Sequence, residues 1–111
     1  MDAGAYGHHP EILFVKLNAT ASGDNTVLAG ITGKKIRVTA VTFVCSSAVG
    51  VQWQSDTTVL VDAMAFAANG GMDTQRIWPN FFLETAAGEA LVANLSTVAN
   101  VRGSINYYVV S

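Results

Sequence analysis

The stretch VGVQWQS, residues 49 to 55, sets Val49, Val51 and Trp53 on one side of an extended chain and Gln52 and Gln54 on the other. Side chains repeat every two residues along a strand and about every 3.6 along a helix, so this alternation specifies a strand with one apolar and one amide face. The same period appears on either side of it. Upstream, KIRVTAVTFVC (35–45) alternates Ile36, Val38, Ala40 and Thr42 against Arg37, Thr39, Val41 and Phe43. Farther upstream, EILFVKLN (11–18) places Ile12, Phe14 and Lys16 on one side and Leu13, Val15 and Leu17 on the other. Apolar residues on both faces predict a strand covered on both sides. Downstream, TTVLV (57–61), RIW (76–78), NFFLET (80–85), EALVANLS (89–96) and GSINYYVVS (103–111) bring the expected set to about eight strands.

Turn-forming residues separate these runs: ASGDN (21–25), TGK (32–34), SSAVG (46–50), SDTT (55–58), ANGG (68–71), WPN (78–80), AAG (86–88) and VRG (101–103). Gly, Asn, Asp and Pro favour these positions because they tolerate positive φ, fix φ, or bond their own backbone. Short strands with turn signals about every 8–12 residues predict an all-β antiparallel sandwich or barrel. Only VDAMAFAA (61–68) has a helical composition, and Gly70 and Gly71 limit it to one turn at most. The division expected is a flexible amino-terminal arm over residues 1–10 and one β-sandwich domain over 11–111.

The most enzyme-like feature is ETAAGEAL, residues 84 to 91, in which Glu84 and Glu89 bracket a small-residue loop. A helix here would have to contain Gly88 and then pass through β-branched and Asn positions. A hairpin needs only the positive φ that Gly88 supplies for a three-residue loop with a bulge. The hairpin is expected, with both glutamates exposed on opposing strands. A glycosidase dyad needs a cleft and one carboxyl of raised pKa, which a loop tip does not provide.

Other chemistry is thin. His8 and His9 sit in the Gly-rich arm with no further histidine in the chain, too few ligands for a metal centre. Serine nucleophiles lack a histidine on the folded scaffold. Asp56, Asp62 and Asp73 form no calcium loop, and Asp56 and Asp73 are expected to cap their turns. No phosphate-binding glycine motif is present. Cys45, the single cysteine, lies in an apolar run and reads as an inert core residue. Lys34, Lys35 and Arg37 form the one basic cluster, expected at a solvated strand edge. The expectation is therefore a chain that is not an enzyme and takes no cofactor.

Half the residues are hydrophobic and 13% are charged, against about 25% in an average soluble domain. So few charges cover a small domain's surface only if polar uncharged residues do the work or other chains bury part of it. A net charge of −2 predicts neither nucleic-acid nor anionic-membrane attraction. The first ten residues have no apolar core of a secretory signal, and the uncharged run 38–55 alternates and contains glutamines, unlike a membrane span. Binding, if any, is expected from RIWPNFF (76–82), where Trp78, Phe81 and Phe82 surround a proline, and from Tyr6, His8, His9 and Pro10 of the arm.

Taken together, GKKIRV (33–38), AANGG (67–71), ETAAGEAL (84–91) and GSINYY (103–108) resemble small jelly-roll modules of tailed phages and prophages, over residues 30–110. At this length the chain is similar to the decoration proteins, cement or staple, on the outside of epsilon15-type podophage heads. The resemblance implies a jelly-roll sandwich and pairing of subunits, a dimer before a trimer. It also implies contacts that bridge neighbouring major capsid proteins, and residence on the outer capsid surface after synthesis in the host cytoplasm. The alternative is a carbohydrate- or receptor-binding module of a tail fibre or spike, using exposed Trp53 or Trp78 with Asn and Gln partners.

Overall fold

The computed structural model describes residues 11–111, and all statements of structure below concern these. Nine strands follow one another: β1 (Leu13–Ala19), β2 (Gly23–Leu28), β3 (Lys35–Cys45), β4 (Val49–Ser55), β5 (Thr58–Phe66), β6 (Gly71–Gln75), β7 (Leu83–Glu84), β8 (Leu91–Leu95) and β9 (Val101–Val110). They form two antiparallel sheets. Sheet A has the order β1-β9-β3-β6, with β7 also on β3, and sheet B the order β2-β8-β4-β5. The chain changes sheet at nearly every connection, and this order on two facing sheets is the wrap of a jelly roll.

The core lies between the sheets and is built by the period-two faces. Val49, Val51 and Trp53 point inward from β4 as the alternation requires, and Trp53 is fully buried. Phe43 meets it from β3 with ring centroids 6.4 Å apart, and Phe66 closes on Phe43 edge-on at 5.1 Å. Cys45 is buried at the end of β3, where burial pushes its thiol pKa up. Gly103 permits the close central packing of sheet A, because a Cβ there would lie 1.8 Å from the Thr42 carbonyl oxygen.

Several sequence expectations are corrected. The segment 61–68 forms no helical turn: β5 runs through Phe66, because pairing with β4 outweighs the helical propensity of its alanines and Met64. Residues 23–25, expected as turn, open β2, and 71–75 form β6 despite Gly71, Asp73 and Gln75. RIW (76–78) is not a strand, and within NFFLET (80–85) only Leu83–Glu84 is. In β3 the alternation breaks at a bulge between Val38 and Ala40. Ile36 and Val38 are buried before it and Val41, Phe43 and Cys45 after it. The extra residue flips the parity, so one strand serves the core with two out-of-phase sets. β1 is covered on one face only: Leu17 and Ala19 are buried while Phe14 is 75% exposed.

Candidate interaction surface

The segment around Glu84 and Glu89 is not a hairpin. β7 pairs with β3 in sheet A and β8 with β2 and β4 in sheet B, so residues 85–90 cross between the sheets. Gly88 does adopt positive φ, 80°, and its N–H donates to the Lys34 carbonyl at 2.8 Å. Side chains stitch the crossover to both layers. Thr85 Oγ1 accepts the Ile36 N–H at 2.9 Å, while Ser55 Oγ donates to Glu89 Oε1 at 2.6 Å and accepts the Ala86 N–H at 3.0 Å. Asp56 caps this crossover, not its own turn, by accepting the Ala90 N–H at 2.8 Å.

An open recess of about 390 Å³ separates the glutamates, lined also by Lys35, Ser55 and Thr58. The recess corrects the expectation that this loop has no hollow beside it. Glu84 Oε2 is held by Arg37 Nε at 2.6 Å and Glu89 by Ser55, so each carboxylate already serves the fold. The arrangement clamps two sheets together.

Arg37 organises the outer face of sheet A. It belongs to β3, an internal strand flanked by β9 and by β6 and β7, so the expectation of a solvated edge is corrected. Its guanidinium lies 4.7 Å from the Phe81 ring centroid and 5.8 Å from that of Tyr108. The hydrogen bonds it donates to Glu84 and then to Tyr108 raise its pKa further, against the opposing pull of burial. Tyr108, directly across from Arg37 on β9, is buried under this cluster and donates its hydroxyl proton to the Pro79 carbonyl at 2.9 Å.

Residues 76–82 interrupt the edge where β6 and β7 share β3. The Arg76 N–H donates to Thr39 O at 2.6 Å and the Phe82 N–H to Val38 O at 2.7 Å, which pins both ends at the bulge. Between them the chain turns, with a cis Trp78–Pro79 bond and the Asn80 N–H on Ile77 O at 2.8 Å. The excursion folds over sheet A's outer face. There Ile77 and Trp78 line a shallow recess of about 200 Å³ with Ile12, Ala40 and Asn106.

The expected anchors therefore separate. Trp78 is half-buried on the outer face, and Phe81 is 36% exposed, stacked on Arg37. Phe82 is half-buried against the core with Arg76 above it. Tyr6, His8, His9 and Pro10 lie outside the described residues. Trp53 is fully buried and offers no face to a sugar ring. Sequence reasoning missed Ile12, Phe14 and Ile77, which are 45%, 75% and 80% exposed on or beside the same face. The signal was present in β1, whose two apolar faces require two covers while the chain supplies one.

Charge is also segregated. No strand of sheet B contains lysine or arginine, whereas Lys16, Lys35, Arg37 and Arg102 are all in strands of sheet A. Lys16 and Arg102 point outward with Phe14, opposite to the buried Leu17, Ala19 and Val101.

Among the described residues, no group of three or more His, Cys, Asp or Glu is placed to hold a metal ion, and no helix is long and apolar enough to cross a membrane. Comparison with known proteins finds no matching family model, curated protein or solved structure.

Proposed function

We infer that the chain is a non-enzymatic structural protein of a virion, which decorates a phage capsid and staples neighbouring major capsid proteins. The observation that carries this reading is the outer face of sheet A, where Phe14 and Ile77 stand largely in water and Lys16 and Arg102 also point outward. Clustered apolar side chains rimmed by charge mark a protein-contact surface. The resemblance to phage jelly-roll modules supplies the kind of partner, and the jelly-roll strand order agrees with it.

The mechanism is thermodynamic. A protein that binds only the mature shell stabilises it by mass action, and repetition over the lattice turns modest affinities into a lock. Copy number tests the reading. Purified virions are separated and this chain is quantified against the major capsid protein by mass spectrometry. A simple integer ratio is expected. A few copies per particle points to the tail and to the receptor-binding alternative, and absence from the particle removes both.

A further inference from the structure

A sandwich of two open sheets has four edges, and three of them here are blocked. β5 carries two register shifts against β4 and Asp62 at the first of them. Bulges and edge charges are the usual means of preventing strand addition. β2 is shifted between Thr26 and Leu28, and Asn25 hooks its own edge by donating to Ala21 O at 2.9 Å while accepting the Ala21 N–H at 3.2 Å. The edge formed by β6 and β7 is broken by residues 76–82.

β1 has neither a bulge nor an interruption, and its one edge charge is Lys16, on the outward side. Its register with β9 runs unshifted from Leu13↔Tyr107 to Ala19↔Val101, and it has no second strand neighbour among the described residues. Its inward side is also unfinished: Leu17 and Ala19 are buried, but Leu13 and Val15 are only half-buried. Its outward side bears Phe14, 75% exposed. A regular seven-residue edge with apolar side chains on both faces is a ready template for a partner strand.

We propose that β1 pairs antiparallel with β1 of a second copy about a two-fold axis, joining the two A sheets into one. Such an interface is isologous, so each strand satisfies the other's free backbone groups. Inner faces must stay on the inner side, which restricts partners to residues of like parity. Placing the axis at Lys16 sets two ammonium groups against each other. Placing it at Leu17 leaves Phe14 beyond the partner's β1. With the axis at Val15, Leu13 faces Leu17 of the second copy and Phe14 faces Lys16, whose aliphatic stem and cation both suit an aromatic ring. This register completes the inner face and covers Phe14.

The pairing identifies a surface for the subunit association that a staple calls for, but it does not rest on that function. A copy-number result that sinks the staple leaves it standing. The test is sedimentation velocity on the purified chain, with circular dichroism to show that each variant is folded. Both positions tested are exposed. The wild type is expected to sediment as a dimer. Phe14→Lys places a lysine against Lys16 of each partner and should weaken the dimer about tenfold or more. The double variant Phe14→Lys/Lys16→Glu converts each clash into an opposite-charge pair and should restore it. A wild-type monomer or trimer, or a Phe14→Lys variant that dimerises unchanged, overturns the proposal. A double variant that stays monomeric overturns the register on which it is built.

Discussion

The two outer faces of the sandwich solve the same problem by different rules. On sheet B the polar groups satisfy one another. Asp24 Oδ1 accepts from Asn94 at 2.6 Å and from Gln54 at 3.2 Å, and Gln52 donates to Gln54 Oε1 at 3.0 Å. That lattice lets a face with few charges satisfy its own polar groups. On sheet A, cations and aromatics are interleaved, an excursion of the chain is laid over the strands, and Phe14, Val44 and Ile77 remain in water. A chain with so few charges satisfies the first face with amides, and the second is the face proposed for contact. The asymmetry predicts that substitutions on sheet B register in stability and those on sheet A in association.

The two tryptophans break the comparison most sharply. Trp53→Ala should cost about 3–5 kcal/mol in urea unfolding, because no neighbour can collapse into the centre of the core. The midpoint of thermal unfolding should fall by roughly 10 °C or more. Trp78→Ala, at a half-buried site on the outer face, should cost about 1 kcal/mol. Equal losses at the two positions would make residues 76–82 a part of the core and remove the contact face. Trp53→Phe should fall well short of the alanine cost. It leaves a smaller hole and removes an indole N–H that has no hydrogen-bond partner among the described residues.

The next largest effects compare the hub of each face. Arg37→Ala releases Glu84 and unroofs Phe81 and Tyr108, and is expected to cost about 1–2 kcal/mol, since the paired side chains are 30% and 26% exposed and so partly screened by solvent. Asp24→Ala removes the shared acceptor of Gln54 and Asn94, but Gln54 keeps its bond to Asp56 O at 3.0 Å, so the cost should be nearer about 1 kcal/mol. Asp24→Ala should leave the sedimentation of the chain unchanged. A dimer lost on changing Asp24 would place the association on the wrong sheet.

Smaller still in stability is Ile77→Ala, expected within about 0.5 kcal/mol of wild type because the side chain is 80% exposed. Retention on capsids should nevertheless fall. A stability loss without a retention loss would identify Ile77 as a local packing residue and weaken the staple reading.

These contrasts also show what the sequence discloses and what it withholds. Strands with clean alternation, β4 and most of β8, were legible because side-chain period is a local property. β6 was not: Gly71, Asp73 and Gln75 have poor strand propensity, and its only warrant is the register with β3, more than twenty residues away. The parity flip in β3 was hidden for the same reason, since a bulge at Thr39 is a fact about β9 and Arg76 as much as about its own neighbours. Glu84 and Glu89 read as hairpin shoulders because Gly88 has the right conformation for one. Sheet membership, which the loop alone does not encode, decided otherwise. Of the surface, Trp78 and Phe81 were found by composition, whereas Arg37 and Tyr108 come together only across the β3–β9 ladder.

The last effect belongs to neither face and calibrates the others. Cys45 is buried, and desolvation raises its thiol pKa above the unfolded value. Below the unfolded thiol's pKa of about 8.5 the proton is bound in both states and contributes no pH dependence. Above it the unfolded chain loses the proton first, so the unfolded state binds fewer protons and stability falls as pH rises, by at most about 1.4 kcal/mol per pH unit. Urea midpoints measured from neutral pH upward should therefore decline in the wild type, and less steeply in Cys45→Ala, after its own constant loss of packing. Parallel curves would show that the thiol titrates alike in both states. The decline then has to come from groups on the two faces, and pH joins mutation as a way of telling those faces apart.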